Sequence, residues 1–330
     1  MINVWKGLGN VKTLNKFLQT IEARYFSNTN QIKRLVTLAA IALVLAIATF
    51  GGYYYYDRYY RPQPGIAEMS ISEAEKAVAE DAQDPEKRLA LAETYMINRR
   101  YEDAIAQAEQ VMSVYPDNQH AWLVLGIANA LGGHPQEAIG PLTMFLDANQ
   151  DAEMPGLNKA LQSAAYYLGD CYLQLGQPAE AIAPLEKAVV WSQTDADAMY
   201  KLGMAYLGVR SYDQAVVMFL NATTFVPDYT EAYQGLAVAF TALNEPALVD
   251  YAHGMEAFSK KDYDTALELL LKSAQQKADF APTFAGLGMT YEAMNDLANA
   301  KSSYEAAVQL DPNNFTASTG LQRVIALLNK

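Results

Sequence analysis

Residues 162–195 read QSAAYYLGDCYLQLGQPAEAIAPLEKAVVWSQTD, and residues 196–229 read ADAMYKLGMAYLGVRSYDQAVVMFLNATTFVPDY. The two segments have equal length, and their small, aromatic and alanine positions fall in phase. Leu168-Gly169 aligns with Leu202-Gly203, Tyr172 with Tyr206, and Ala181 with Ala215. Self-similarity at a period of 34 residues marks a repeat architecture, in which each unit is too small to bury its own apolar face and stacks on its neighbours.

The same pattern extends in both directions. A Leu followed by a small residue recurs as Leu91-Ala92, Leu125-Gly126, Leu236-Ala237 and Leu287-Gly288. An alanine stands twelve places beyond the small residue at Ala104, Ala138 and Ala300, and an aromatic three places beyond it at Tyr95, Phe240 and Tyr291. Pro116, Pro227 and Pro312 close their units. Small residues let two antiparallel helices approach closely, an aromatic fills the wedge between them, and proline ends the second helix.

These residues resemble the tetratricopeptide repeat family over about residues 85–330, with units beginning near 85, 119, 162, 196, 230, 247 and 281. Trp122 holds the family's preferred aromatic at the fourth place. The resemblance implies an all-α fold, a right-handed superhelical solenoid of antiparallel helix pairs. A helix from Met69 to Asp81, opened by Ser70 with Glu73 three residues on, is expected to cover one end, and residues 315–330 the other.

Two irregularities interrupt the period. About nine residues are inserted around 149–159, where an acidic loop and a neutral loop or extra helical turn are both open readings. The step from 230 to 247 is half a repeat. Leu243-Asn-Glu-Pro-Ala247 matches the inner turn Leu175-Gly-Gln-Pro-Ala179, yet Phe258-Ser-Lys-Lys-Asp-Tyr263 also reads as an inner turn. One helix therefore serves as second helix of one pair and first helix of the next, and the array divides into 70–246 and 247–330 at this change of phase.

Charge divides the chain more sharply. The net of −13 over 330 residues combines +6 for residues 1–61 with −19 for the rest. From Leu35 to Tyr56 no residue is charged, which is long enough for a transmembrane helix. Lys33 and Arg34 precede this span and a run of tyrosines follows it, as membrane flanks do. The positive-inside rule puts residues 1–34 in the cytoplasm and the repeats across the membrane, in the periplasm if the membrane is a bacterial inner membrane. The long basic lead and the absence of a small-x-small cleavage site identify an uncleaved signal anchor rather than a signal peptide. Val4, Leu8, Val11, Leu14, Phe17, Ile21 and Tyr25 allow either an amphipathic helix on a membrane or partner, or a loosely ordered tail. Residues 57–69 read as a linker.

The remaining composition excludes much. At 51% hydrophobic and 18% charged the chain is not disordered. A single Cys rules out an internal disulfide framework and any thiolate metal cluster, and three dispersed His argue against a metal centre. The acidic array lacks the cationic face a nucleic-acid binder needs. No HExxH, Ser/His/Asp or Cys–His set is present, so no enzyme activity and no cofactor are expected.

The resemblance also implies a concave groove lined by the first helix of each unit. Carried to this chain, it runs through Glu86 and Glu93, then Leu123 and Ile127, Tyr166 and Asp170, and Asp197, Tyr200 and Met204. Glu231, Val238, Met289 and Glu292 continue it. Such a groove is aromatic and Met-lined with acidic rims. The family's cationic clamp for a terminal carboxylate is absent, Lys201 being the only lysine at an inner place, so a basic and apolar protein or peptide segment is the expected partner. The resulting expectation is a non-catalytic, membrane-anchored scaffold in secretion, envelope assembly or chaperoning, with homo- and hetero-oligomers both open. Two alternatives stay open, an organellar import receptor for basic amphipathic targeting helices and an accessory subunit of a membrane-associated biosynthetic enzyme.

Overall fold

The computed structural model describes residues 15–16, 19–20, 23, 29–59 and 65–329. Among them every regular element is helical. The expected amphipathic segment before the anchor lies almost wholly outside the described residues, as do positions 60–64 of the linker. Helix α1 (Thr29–Tyr59) contains an 18-residue stretch, Val36–Tyr53, apolar and long enough to cross a membrane. Its side chains are turned outward along this length, Val36 being 63% and Phe50 73% exposed.

Residues 70–330 form one compact unit. The first helix of that unit, α2 (Ile66–Glu80), begins a turn before Ser70, which shortens the expected linker. Glu68 Oε2 accepts from the Gly65 amide (3.2 Å) and Gly65 O from the Met69 amide (2.9 Å), so the reach-back acid is Glu68 rather than Glu73. Ile71, Ala74 and Val78 then pack on Leu89, Leu91 and Ala92, closing one end of the array.

Fourteen residues or so per helix follow with tight turns. The pairs are α3 (Pro85–Ile97) with α4 (Tyr101–Val114), α5 (Gln119–Gly132) with α6 (Pro135–Ala148), α7 (Lys159–Gln174) with α8 (Pro178–Trp191), and α9 (Ala196–Gly208) with α10 (Tyr212–Phe225). Next come α11 (Thr230–Ala242), α12 (Pro246–Ser259), α13 (Tyr263–Gln276), α14 (Ala281–Ala293), α15 (Leu297–Leu310) and the terminal α16 (Phe315–Leu328). Each helix packs on the next, and the short connections make neighbours antiparallel.

The turns within pairs share one geometry. In the α9–α10 turn Arg210 is left-handed (φ 63°), its amide bonds to Leu207 O (3.0 Å) and the Ser211 amide reaches back to Tyr206 O (2.8 Å). This is the Schellman arrangement, which satisfies carbonyls left over at a helix end. Both turns flanking α12 carry it, through Asn244 (φ 59°) and Lys261 (φ 64°). In four of the turns between pairs a side chain caps the next helix, Asn118, Asn158, Asp195 and Asn314 each accepting from its first turn, whereas Tyr229 and Phe280 precede theirs without such a bond.

Helix α12 packs on α11 behind it and α13 ahead of it. Contact between first helices runs α3–α5–α7–α9–α11, then resumes as α12–α14–α16. Because neighbours are antiparallel, the first helices after this step point opposite to those before it. The insertion at 149–158 is a loop holding one 3-10 turn (Pro155–Leu157), tied down by Gln162 Nε2 donating to Gly156 O (2.7 Å).

Candidate functional site

Small residues on the first helices set how closely the second helices approach them. Phe219 of α10 is fully buried, and a methyl group added at Gly203 of α9 or Gly235 of α11 would sit 2.6 or 2.5 Å from its ring. Glycine at both places lets one aromatic ring wedge three helices together. Above that wedge the side chains at other places of α7 and α9 are brought to a common face.

Asp195 accepts from the Ala198 amide (3.0 Å) and fixes the first turn of α9, which sets Asp197 and Tyr200 on one side of the helix. Tyr229, in the turn before α11, donates its hydroxyl to Asp197 Oδ1 (2.7 Å) and lies 5.2 Å from the Tyr200 ring. Tyr200 also packs on Phe219 at 5.9 Å. Next to Tyr200, Lys201 Nζ stands 2.5 Å from Oδ1 of Asp170 on α7, and Gln174 Nε2 of α7 donates to Asp170 Oδ2 (2.7 Å). Oδ1 receives no properly directed hydrogen bond, so its contact with Lys201 is one of charge.

Between α7 and α9 these residues enclose an open cavity of about 480 Å³, lined by Asp170, Leu173, Pro178, Tyr200, Lys201 and Met204. Burial, then the charges of Asp170 and Asp197, pushes the Tyr166 phenol far above its ordinary value. Burial and the bond to Asp197 do the same to Tyr229, and burial raises Tyr200 against the opposing pull of Lys201. All three phenols are therefore neutral donors at physiological pH. The face offers aromatic and thioether surface, three hydroxyls and a carboxylate already partnered by a lysine, and so is suited to holding an amphipathic segment.

Of the residues singled out in the sequence, Asp170, Tyr200 and Met204 line this cavity, while Tyr166 lies within reach of the charges of Asp170 and Asp197 without lining it. Glu93, Leu123 and Ile127 lie on α3 and α5, apart from this cavity. Leu123 and Ile127 are half-buried against the core that holds Leu142 and Leu161. Glu93 and Glu86 both bond the ring of His120, at 2.9 and 3.0 Å. Glu292 is taken up by Arg323 (2.5 and 2.7 Å) and by the Tyr304 hydroxyl (2.9 Å), which ties α16 to α14. The two residues missed were Tyr229, which precedes its helix, and His120 as a partner of the acids. His120 lies one repeat length after Glu86, a spacing that places them side by side.

Models of the tetratricopeptide repeat match residues 89–153 and 162–199, and a second such model matches 281–314. The chain is 27% identical over 136 residues to the type IV pilus assembly protein PilF of Pseudomonas aeruginosa, covering 36% of this chain and 54% of that one. It is 23% identical over 166 residues to tetratricopeptide repeat protein 1 of Schizosaccharomyces pombe, covering 49% and 15%. The chain thus spans about half of the first relative and a small part of the second. Among solved structures, MamA matches with a TM-score of 0.43 at 22% identity over 59% of this chain and 94% of its own.

Proposed function

Since the chain belongs to the tetratricopeptide repeat family, whose arrays are scaffolds for protein interaction, we propose that it holds a basic and apolar protein segment against the first helices of its third to fifth units, at a membrane surface, without catalysing a reaction on it. The observation that carries this reading is the open cavity between α7 and α9, with Tyr200 and Met204 on its wall. Met204 is 38% exposed there, an adaptable apolar contact that no neighbour covers. The net of −19 over residues 62–330 favours a cationic segment over an acidic one.

Helix α1 supplies the anchor in this reading, and the charge difference across it sets the array on the periplasmic side of a bacterial inner membrane. Anchoring raises the local concentration of the array near other membrane components, so that modest affinity in each contact suffices. The relative PilF is a type IV pilus assembly protein, and envelope assembly is the setting we favour for this chain.

A photoreactive phenylalanine analogue in place of Tyr200, in native membranes, should crosslink to a captured protein. The same analogue at Val217, exposed on the second helix α10, should not. Met204→Lys should lower capture by roughly tenfold or more, the range of a central contact, with the melting temperature little changed. Equal crosslinking from both positions, or full capture by Met204→Lys, would remove the cavity from consideration.

A further inference from the structure

The two ends of the array are built differently. Helix α2 turns Ser72, Glu73, Lys76 and Glu80 to solvent, the polar outer face that closes a stack of repeats. Helix α16 does not. Its Leu321, Ile325 and Leu328 recur at four- and three-residue spacing and so share one side, next to the inner face that buries Ala317, Gly320 and Val324. Ile325 is 38% and Leu328 49% exposed.

The repeat shows what such a side ordinarily meets. In five first helices a glycine (Gly126, Gly169, Gly203, Gly254 and Gly288) lies against a bulky side chain of its own second helix. A methyl group added at Gly288 would sit 2.5 Å from the Tyr304 ring of α15. One repeat after Gly288, α16 carries Gln322, which is exposed. A long side chain there blocks the close approach of an ordinary second helix, and the helix neighbours of α16 are α14 and α15. The side is apolar, yet it is not shaped for another repeat of the same kind.

Charge narrows the choice of occupant. From Pro312 to Lys330 there is no Asp or Glu, only Arg323 and Lys330. Arg323 is already held by Glu292 (2.5 and 2.7 Å). A basic segment therefore finds no carboxylate on this helix. Two copies of a chain that carries −19 over residues 62–330 repel least where acid-free ends meet. The outer face of α2 is polar from Ser72 to Glu80 and offers no apolar seam for a head-to-tail contact.

We propose that α16 is a self-association surface, packing antiparallel on α16 of a second copy about a two-fold axis. Leu321, Ile325 and Leu328 of the two copies interleave along the seam. A two-fold contact uses the same patch on both chains, so a self-complementary apolar seam is enough to form it. Gln322 lies at the edge of that seam, where a long side chain stays in solvent. The surface does not depend on the cavity between α7 and α9, and the two can be tested apart.

Because Cys171 is buried, single introduced cysteines can be read in the full chain in native membranes. A short bis-maleimide should join Ile325→Cys to a second copy, and should not join Glu73→Cys on α2. Adding Leu328→Asp to Ile325→Cys should lower the yield of dimer by about tenfold or more, as disruption of a central contact does. Ala326→Asp puts the same charge on the same helix at an exposed position away from the seam, and should leave the yield unchanged. No dimer from Ile325→Cys, an equal yield from Glu73→Cys, or an equal loss with Leu328→Asp and Ala326→Asp would each overturn the proposal. Ile325→Cys joined only to a different protein would overturn it as well, and would make this face a docking site for another chain.

Discussion

His120 stands between two carboxylates on the neighbouring first helix, and its ring is raised from the ordinary histidine value to about 8, chiefly by its bond to Glu93 and then to Glu86, against the cost of burial. A folded-state value above the unfolded one means that the protonated ring favours folding. The stability so contributed is fully present below about pH 6.5, the unperturbed value, and is lost as pH rises through about 8. The ring is 35% exposed, so solvent screening leaves a contribution of about 1 kcal/mol. Melting should therefore fall by about 2–4 °C between pH 6 and pH 9, and His120→Gln should flatten most of that slope. The bond of His134 to Glu102 acts in the same direction at the surface, so an NMR titration of each ring separates the two. Cys171 makes the opposite case. It is fully buried, and burial, then the charge of Asp170, pushes its thiol up to about 12. The native chain should resist a maleimide at pH 7 unless it is first unfolded.

Helices here are short, and their ends and contact faces decide their fate more than their propensities do. Gly176 sits in the α7–α8 turn at φ 69° with open space where a side chain would go. Gly176→Ala should thus cost about 1 kcal/mol through backbone conformation alone. Gly203→Ala meets the Phe219 ring instead, and overpacking should cost about 1–3 kcal/mol. Urea unfolding of the two variants separates conformational strain from steric crowding, and similar losses with Phe219→Leu added to Gly203→Ala would contradict the wedge. The same contrast explains what the sequence made legible. Gly169, Gly203 and Gly288 betray themselves by recurring in phase, because close approach tolerates little else. The matching inner turns around α12 are readable for the same reason, though the left-handed residue in them is Arg99, Arg210, Asn244, Lys261 or Asn295 as readily as glycine. Cross-helix partners are harder to read. Asp170 with Lys201, and Glu292 with Arg323, are each 31 residues apart, three short of the repeat, so they are diagonal neighbours on adjacent first helices. A search by identical repeat place finds Glu86 beside His120 and passes over these pairs. The start of α2 was missed because Gly65 and Glu68 cap as Ser70 and Glu73 were expected to, and local capping signals compete when they lie one turn apart.

Across the whole molecule, the basic and acidic charges belong to separate stretches of the chain. Residues 70–330 are a single compact unit carrying the acidic excess, while α1 presents Val36, Leu43, Val44, Ile47 and Phe50 outward, each at least 62% exposed. Such a surface is stable only against lipid or another apolar partner. If lipid covers it, the six basic residues ahead of the span determine orientation, because moving them across the bilayer opposes the inward bias for Lys and Arg. Arg58 and Arg61 on the other side reduce that bias without reversing it. The buried Cys171 makes the orientation measurable, since it contributes no background to thiol labelling. Glu109→Cys, exposed on α4, should react with a membrane-impermeant maleimide in right-side-out spheroplasts, and Lys16→Cys should react only after detergent is added. The reverse pattern would put the array in the cytoplasm. Labelling of both sites without detergent would show that α1 does not span the bilayer, and its apolar surface would then have to be covered by protein.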